Sequence, residues 1–339
     1  MRAAIFNGPG RPITIEAVPD PRPGAGELLV KIGRCGICGS DVSMTSEAPF
    51  TYPAGHAFGH EYAGEIVEIG RDVTRSKPGD RIACVPSAPC GKCAGCRDGN
   101  VVFCTSATPL NAGFAQYIAV PERAAITLPR SLSVADGALI EPMACGLNAL
   151  RLARMEGGER VLVMGAGSMA LSVIYWARLL GAATIVVLSR SAHRVDTALT
   201  MGADAVFGFD VDPANCTAAL GGQPDIVVEC VGKERILNKA IDCVGPQGTV
   251  VSMGMCMQHE PILSARCAFK EVRMLFPLGY SLDEFVETAK TFDSGRVRPE
   301  FMVSDVISLE ELPATMEDLR AGGKHLKVHV NPHARSAHA

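Results

Sequence analysis

The chain has 339 residues, of which 47% are hydrophobic and 20% charged, and its formal net charge is −4. A chain of this length favours two domains, and this charge excludes the basic surface that nucleic-acid-binding and membrane-surface proteins carry. The first residues contain no apolar run like that of a signal peptide, and no segment reaches the roughly 18 uninterrupted apolar residues of a membrane span. We therefore expect a cytoplasmic protein without nucleic-acid or membrane partners.

Thirteen cysteines are present. Without an export signal, so many cysteines indicate metal ligands or reduced thiols rather than disulfides. Five of them are assigned below as candidate ligands, and the others are expected to behave as small apolar core residues.

Residues 1 to about 140 are predicted to be rich in β-strands. Short runs of partly alternating polarity are separated by glycine and proline clusters, as at residues 19–24 and 77–80. The predicted strands lie at residues 28–32, 62–70, 81–85 and 115–120. This pattern favours a compact barrel or sandwich.

The pattern changes after Glu141 and Pro142. A helix is predicted over residues 143–154, and strands rich in Val, Ile and Leu then alternate with helices. These strands are predicted at residues 160–164, 184–188, 225–229 and 249–253. Continuous apolar strands between helices predict a parallel sheet that is covered on both faces.

The stretch from Cys35 to Glu61 contains a candidate open metal site. It includes Cys38 and, some twenty residues later, Gly59-His60-Glu61. A thiolate, an imidazole and a carboxylate are the ligand set of a zinc ion that keeps one position open. A buried thiol and an unrelated histidine remain an alternative for these residues alone.

The spacing of a second group of cysteines is the strongest signal for a metal site in the sequence. Cys90, Cys93 and Cys96 are followed by Cys104, among Gly, Lys, Arg, Asp and Asn residues that are typical of an exposed lobe. Four thiolates at such spacing predict a closed, structural zinc site. An iron–sulfur cluster is the alternative.

A glycine loop follows the first strand of the predicted parallel sheet. Gly165, Gly167 and Ala170 fit the Gly-x-Gly-x-x-Gly/Ala pattern of a dinucleotide site, where a strand turns into a helix. Gly165 would permit the tight turn, Gly167 the approach of the pyrophosphate, and Ala170 the close packing of the helix on the strand.

The end of the next predicted strand indicates which dinucleotide binds. An NAD site usually has an acidic residue here, whereas this chain has Ser189 with Arg190 beside it and Arg194 one helical turn later. A hydroxyl and two guanidinium groups suit a 2′-phosphate, so NADP is favoured over NAD. Solvated surface arginines are the alternative.

Taken together, these motifs resemble those of the zinc-dependent medium-chain alcohol and polyol dehydrogenases, in the branch of sorbitol and threonine dehydrogenases. The likeness covers essentially the whole chain and rests on residues 36–41, residues 59–61, the four-cysteine lobe, Glu141-Pro142 and the glycine loop. It implies an α/β fold with a β-rich, GroES-like barrel as catalytic domain and a Rossmann domain with a doubly wound parallel sheet. The implied boundaries are residues 1–145 for the catalytic domain with its zinc lobe at about 88–106, residues 146–281 for the cofactor domain, and residues 282–339 for a return to the catalytic domain.

The resemblance also implies roles for single residues. Cys38 and His60 would bind the catalytic zinc, and Glu61 would bind it or one of its ligands. Glu141 matches a carboxylate that binds this zinc or holds a water on it. Lys327 resembles a basic residue that faces the cofactor phosphates.

The implied chemistry is hydride transfer from an alcohol to the nicotinamide, with two zinc ions per chain, one catalytic and one structural. Ser40 would accept the hydroxyl proton. Many relatives have a histidine three residues after this serine, where this chain has Ser43, so the next proton acceptor is open. His56 is a candidate, although a surface histidine is the alternative.

We therefore expect a zinc-dependent oxidoreductase that interconverts a secondary, polar or polyol-type alcohol and a ketone with NADP(H), as a homodimer or homotetramer. One alternative is a zinc-independent reductase of activated double bonds or quinones from the same superfamily. Another is a non-catalytic, zinc-ribbon-like interaction protein.

Overall fold

The computed structural model describes residues 1–46, 49–295 and 299–335, so residues 296–298 and 336–339 of the predicted return segment lie outside the described residues. The strands of the described part are β1 (Arg2–Phe6), β2 (Thr14–Ala17), β3 (Glu27–Gly36), β4 (His56–Ala57), β5 (Glu61–Ile69), β6 (Arg81–Cys84), β7 (Ser87–Ala88), β8 (Thr108–Pro109), β9 (Tyr117–Pro121), β10 (Ala125–Thr127), β11 (Arg160–Met164), β12 (Thr184–Leu188), β13 (Ala205–Phe207), β14 (Ile226–Glu229), β15 (Thr249–Ser252), β16 (Arg273–Leu275), β17 (Val303–Ile307) and β18 (Lys327–Val330).

The α-helices of the same ranges are α1 (Gly39–Met44), α2 (Ala94–Arg97), α3 (Val134–Leu152), α4 (Ser168–Leu179), α5 (Val195–Thr200), α6 (Pro213–Leu220), α7 (Ile236–Cys243), α8 (Ser264–Lys270), α9 (Leu282–Asp293) and α10 (Leu312–Arg320). Short 3₁₀ segments lie at Val101–Phe103, Glu122–Ala124, Ala192–Arg194 and Pro299–Met302. Among these helices, none has the length and apolar character that a membrane span requires.

The chain divides into two compact units. The first consists of Met1–Glu141 together with Ser281–Ala339, and the second of Pro142–Tyr280.

The first unit is built around the long strand β3. Its largest sheet has the order β10-β6-β5-β3-β18-β17, and β9 also pairs with β3. Strand β18 comes from the end of the chain and lies between β3 and β17. The prediction of a β-rich first part is confirmed, and the side chains facing its interior, such as those of Val30, Ile32 and Ile66, are fully buried.

The second unit contains the predicted parallel sheet. Its six strands have the order β13-β12-β11-β14-β15-β16, and every neighbouring pair is parallel. The order reverses between β11 and β14, as in a doubly wound fold, where ligands bind beyond the carboxyl ends of the strands at this switch point. The fold class predicted from the sequence is confirmed.

Helix α3 begins earlier than predicted. It starts at Val134 rather than at 143 and continues through Pro142. A capping box fixes this start, because the backbone N–H of Ser133 donates to Asp136 Oδ2 and that of Asp136 donates to Ser133 Oγ. After the proline, Ser172 Oγ donates to the carbonyl of Pro142 at 3.1 Å, and Trp176 Nε1 donates to that of Met143 at 2.7 Å. These bonds hold the helix across its proline.

A buried histidine lies in the core of the first unit. His329 in β18 is 0% exposed, and neither ring nitrogen has a hydrogen-bond partner among the described residues. Burial, reinforced by the charges of Lys327 and Arg34, lowers the pKa of His329 to about 3. The ring is therefore neutral in the folded protein at neutral pH.

This histidine should make the protein sensitive to acid. Between about pH 6.5 and pH 3 the unfolded chain binds a proton at His329 and the folded chain does not, so stability falls as the pH falls through this window. At pH 5 the expected loss relative to neutral pH is about 2 kcal/mol. His329→Leu should remove this contribution, so its melting temperature should fall less than that of the unmodified protein between pH 7 and pH 5.

The exposed His56 provides the control, because His56→Ala should leave the acid dependence unchanged. Parallel melting curves for His329→Leu and the unmodified protein over this pH range would contradict the assignment.

Candidate functional site

The Cys38 segment connects β3 to α1. Cys38 precedes the helix, its backbone N–H donates to Asp41 Oδ2 at 2.9 Å, and the backbone N–H of Asp41 donates to the Cys38 carbonyl at 3.1 Å. These two bonds fix the turn between strand and helix. They set the positions of Cys38 and of Ser40 in the first helical turn.

His60 and Glu61 lie at the start of the neighbouring strand. Glu61 opens β5 and is paired with Gly36 of β3. A Cβ atom at position 36 would collide with Oε2 of Glu61, so glycine leaves the space that the carboxylate occupies. One ligand atom each from Cys38, His60 and Glu61 lies within 4.8 Å of the others. The structure thus brings together three of the four predicted ligands of the catalytic zinc.

Two further residues orient the His60 ring. Its Nδ1 lies 3.2 Å from Asp41 Oδ1, and Tyr52 donates its hydroxyl to the same oxygen at 2.8 Å. Burial disfavours both charges, but Asp41 and His60 stabilise each other, so the pKa of Asp41 is lowered and that of His60 raised. With Nδ1 directed to the carboxylate, Nε2 is left for a metal, and it lies 3.5 Å from Ser40 Oγ. The roles of Asp41 and Tyr52 in orienting His60 were not predicted from the sequence.

Lys327 makes contacts that differ from the prediction. Its ammonium group lies 2.8 and 2.7 Å from the two carboxylate oxygens of Glu61 and 3.0 Å from the Ile37 carbonyl. Both charged side chains are 0% exposed. Burial acts against the ammonium charge, but Glu61 outweighs it and raises the pKa of Lys327. The ammonium group thus has three acceptors within the protein, and the predicted role of Lys327 at the cofactor phosphates stays a prediction.

Glu141 lies in α3 and is 8% exposed. It is not part of the cluster of Cys38, His60 and Glu61. Its charge contributes to the raised pKa of Lys327, although less than that of Glu61. The two carboxylates therefore act on one ammonium group, and Glu61 has the closer contact.

The four-cysteine lobe has the geometry of a site for a single ion. The sulfur atoms of Cys90, Cys93, Cys96 and Cys104 lie within 4.8 Å of one another. The Cys93–Cys96 and Cys90–Cys96 separations are 3.5 and 3.9 Å. A tetrahedral zinc with Zn–S bonds of about 2.3 Å places its sulfurs about 3.8 Å apart, so these two separations are close to those that this ion requires.

Backbone donors in the lobe favour thiolates. The N–H groups of Cys96 and Thr105 lower the pKa of Cys93 to about 6, and those of Lys92 and Cys93 lower the pKa of Cys90. The N–H of Cys90 donates to the sulfur of Cys104 at 3.2 Å. Because zinc binds the deprotonated sulfur, these donors favour metal binding at Cys90 and Cys93, whereas desolvation raises the pKa of Cys96 to about 11.

Within the described ranges, neither Ser43, which stands where many relatives have a histidine, nor the relay candidate His56 is hydrogen-bonded to Ser40. Ser43 lies in α1 and accepts a hydrogen bond from Ser46 Oγ at its carbonyl. His56 is exposed, and its Nδ1 lies 3.0 Å from the carbonyl of Ala54.

The glycine loop lies at the turn from β11 to α4. Gly165 has φ of +110°, which favours glycine, and its N–H donates to the carbonyl of Leu188 at 2.8 Å. Gly167 precedes the first residue of α4, and Ala170 is fully buried. The loop thus has the conformation that the dinucleotide pattern predicts.

The residues predicted to contact the 2′-position of the adenosine ribose lie after β12. The N–H of Ser189 donates to the carbonyl of Phe207, and its hydroxyl accepts a hydrogen bond from the N–H of Ser191 at 3.0 Å. The guanidinium group of Arg194 lies beside the glycine loop, 3.9 Å from the Cβ position of residue 167. Arg190 is exposed. Ser189 and Arg194 therefore lie near the predicted dinucleotide site.

Comparison with known proteins identifies two family models in the chain. Residues 24–130 match the alcohol dehydrogenase GroES-like domain, and residues 165–294 match the zinc-binding dehydrogenase domain. Sorbitol dehydrogenase of Bacillus subtilis (strain 168) is 30% identical over 98% of this chain and 97% of its own length. Sorbitol dehydrogenase of Gallus gallus is 32% identical over 78% of this chain and 79% of its own length.

Solved structures with the same fold include a protein from Sinorhizobium meliloti 1021 that is described as a zinc-binding dehydrogenase and is bound to NADP. It has a TM-score of 0.88 and 30% identity, and the match covers 98% of this chain and 99% of that one. The 2R,3R-butanediol dehydrogenase of Bacillus subtilis has a TM-score of 0.87 and 26% identity, with 98% and 99% covered.

Proposed function

The chain belongs to the zinc-dependent medium-chain alcohol and polyol dehydrogenase family, and we propose that it interconverts a secondary, polar alcohol and the corresponding ketone with NADP(H). The observation that carries this proposal is that Cys38 and His60 lie together and that Ser40 Oγ is 3.5 Å from His60 Nε2. The polyol and diol dehydrogenases among the similar proteins support a substrate with neighbouring hydroxyl groups.

We propose that the catalytic zinc is held by Cys38, His60 and Glu141. Glu61 is less suited to bind it directly, because both carboxylate oxygens are within 2.8 Å of the Lys327 ammonium group. Glu61 and Lys327 would instead form the buried wall behind the metal. When bound, the zinc would supply Lewis acidity that lowers the pKa of the substrate hydroxyl.

Ser40 is proposed to accept the proton of the substrate hydroxyl. Its Oγ lies 3.5 Å from Nε2 of His60, which is the nitrogen available to the metal. A serine at position 43 cannot store this proton near neutral pH. We therefore propose that Ser40 passes the proton to water rather than to another side chain.

A second zinc is proposed in the four-cysteine lobe. Cys90, Cys93, Cys96 and Cys104 supply four sulfurs and leave no position for a substrate, so this ion would stabilise the lobe.

A panel of polyols, amino alcohols and ketones with both nicotinamide cofactors tests the proposed activity. We expect oxidation of a polar secondary alcohol, two zinc ions per chain by metal analysis, and loss of activity on chelation that added zinc restores.

Ser40→Ala should lower kcat by about 100-fold, because a positioned proton acceptor contributes a factor of this order.

Ser43→Ala is the matched control and should keep kcat unchanged. Activity that survives chelation, together with fewer than two zinc ions per chain, would favour the zinc-independent reductase. A protein that binds neither cofactor would favour the non-catalytic alternative.

The preference for NADP is proposed from the residues after β12. No carboxylate follows this strand at Ser189, and the guanidinium group of Arg194 lies beside the glycine loop. A 2′-phosphate would therefore meet a hydroxyl and a cation rather than a negative charge.

Ser189→Asp should reverse this preference. The new carboxylate would repel the 2′-phosphate and accept hydrogen bonds from the ribose hydroxyls of NAD, so the ratio of kcat/KM for NADPH to that for NADH should fall by about 10- to 100-fold. Ser264→Asp adds the same charge at an exposed position of the same unit and should leave the ratio unchanged. An unmodified protein that prefers NADH, or a Ser189→Asp variant with no gain in NADH use, would refute the assignment.

The oligomeric state is proposed from the edge of the parallel sheet. Within the described residues β16 pairs with β15 alone, and exposed apolar side chains lie close to it in sequence, namely Leu263 (61% exposed), Phe269 (91%), Phe276 (65%) and Leu278 (63%). An unprotected edge with apolar neighbours suits pairing with a second copy. We propose a homodimer, or a tetramer of such dimers, joined at β16.

Sedimentation velocity should show the unmodified protein as a dimer or tetramer. Phe276→Arg should shift it towards the monomer, because the interface would then bury an unpaired charge. Phe301→Arg, at another exposed phenylalanine, should not. A monomeric unmodified protein would contradict this arrangement.

A further inference from the structure

A buried carboxylate lies at the carboxyl end of β14. Glu229 is 2% exposed and has no ion-pair partner in the described part of the chain. Its Oε1 accepts the backbone N–H groups of Val231 at 2.5 Å and Gly232 at 2.8 Å, and its Oε2 lies 3.4 Å from Ser252 Oγ. Burial, together with the charge of Glu229, raises the pKa of the neighbouring Cys230 thiol, so this thiol stays protonated. The carboxylate of Glu229 is therefore held at this strand end by hydrogen-bond donors and not by a cation.

Glu229 also lies at the point where the strand order reverses. It is paired with Met164 of β11, just before the glycine loop, and with Ser252 of β15. The turn that it holds contacts the glycine loop, because a Cβ at position 165 would lie 3.3 Å from Val231 Cγ2 and 3.4 Å from the Cys230 carbonyl. The carboxylate thus fixes the wall of the crevice that faces the loop.

The position of the nicotinamide follows from the proposed cofactor site, on which this inference rests. The adenosine ribose is assigned to the end of β12 at Ser189, and the pyrophosphate to the glycine loop and the start of α4. A dinucleotide extends across the switch point of a doubly wound sheet, so its other half lies over the carboxyl ends of β14 and β15. These are the strand ends at which Glu229 and Ser252 are found.

The charge of the cofactor changes at this end during the reaction. Hydride transfer carries two electrons and one proton from the alcohol carbon to the nicotinamide, so the ring goes from a positive charge to a neutral one. A fixed negative charge in a buried wall attracts the oxidised ring and acts little on the reduced one. We propose that Glu229 is a charge-bearing residue of the cofactor site that strengthens binding of the oxidised cofactor relative to the reduced one.

The dissociation constants of both cofactor forms test this inference. Glu229→Gln removes the charge and retains an oxygen that can accept the N–H bonds of the turn. We expect its affinity for NADP⁺ to fall about tenfold more than its affinity for NADPH, which corresponds to about 1.4 kcal/mol. Trp176 in α4 is the single tryptophan of the chain, so its fluorescence reports binding to the unit that holds the glycine loop.

Two further variants separate the charge from the structure of the turn. Glu229→Asp keeps the charge on a shorter side chain, so both affinities should fall while their ratio stays within about twofold of the unmodified value. Glu234→Gln removes an exposed carboxylate nearby and should change neither constant. If Glu229→Gln does not fold, the ratio measured for Glu229→Asp still tests the inference.

Equal weakening of both cofactor forms in Glu229→Gln, or a shifted ratio in Glu229→Asp, would overturn the inference. These outcomes differ from failure of the proposed function, in which the unmodified protein binds no nicotinamide cofactor. If the protein binds NAD(H) instead, the same comparison applies to NAD⁺ and NADH, because the ring charge does not depend on the 2′-phosphate.

Discussion

The buried ion pair of Glu61 and Lys327 is the interaction on which the cluster of Cys38, His60 and Glu61 depends. Two full charges are 0% exposed, and each is stable there only because the other is within 2.8 Å. Loss of one partner of such a pair typically costs about 3–5 kcal/mol, since the remaining charge has neither water nor a counterion. The pair also joins distant parts of the chain, because Glu61 opens β5 and Lys327 opens β18. The part of the first unit that supplies Cys38 and His60 is thus completed by β18, a strand from the last part of the sequence.

The sequence predicted best those features whose residues lie close together in the chain. The four cysteines of the lobe span fifteen positions, from Cys90 to Cys104, and the glycine loop follows its strand directly, so local spacing is sufficient for both. The four inner strands of the parallel sheet were predictable for the same reason, because each carries its own apolar run, whereas the three-residue edge strands β13 and β16 were not predicted. The early start of α3 was also encoded, in the capping box of Ser133 and Asp136, but Pro142 suggested a boundary that the helix does not have.

The remaining features depend on contacts between distant residues. Nothing near Lys327 in the sequence indicates that its partner is Glu61, which is 266 positions away. Asp41 and Tyr52 orient His60 only because α1 and the following segment fold back on the start of β5. Glu229 is similar, because its position at a strand end does not predict which groups surround it. Only the structure shows that its carboxylate accepts backbone N–H groups and does not pair with a cation. In each case burial and pairing give the side chain its role.

The central place of β18 has a consequence for synthesis on the ribosome. The second unit is one continuous segment, Pro142–Tyr280, so it can fold as soon as it has emerged. The first unit emerges earlier but lacks the strand between β3 and β17 until residues 327–330 are made. The half of the molecule that begins the chain is therefore the last to be completed. Until then Glu61 lacks its partner Lys327, and Cys35 and Gly36 at the end of β3 lack their pairing with β18.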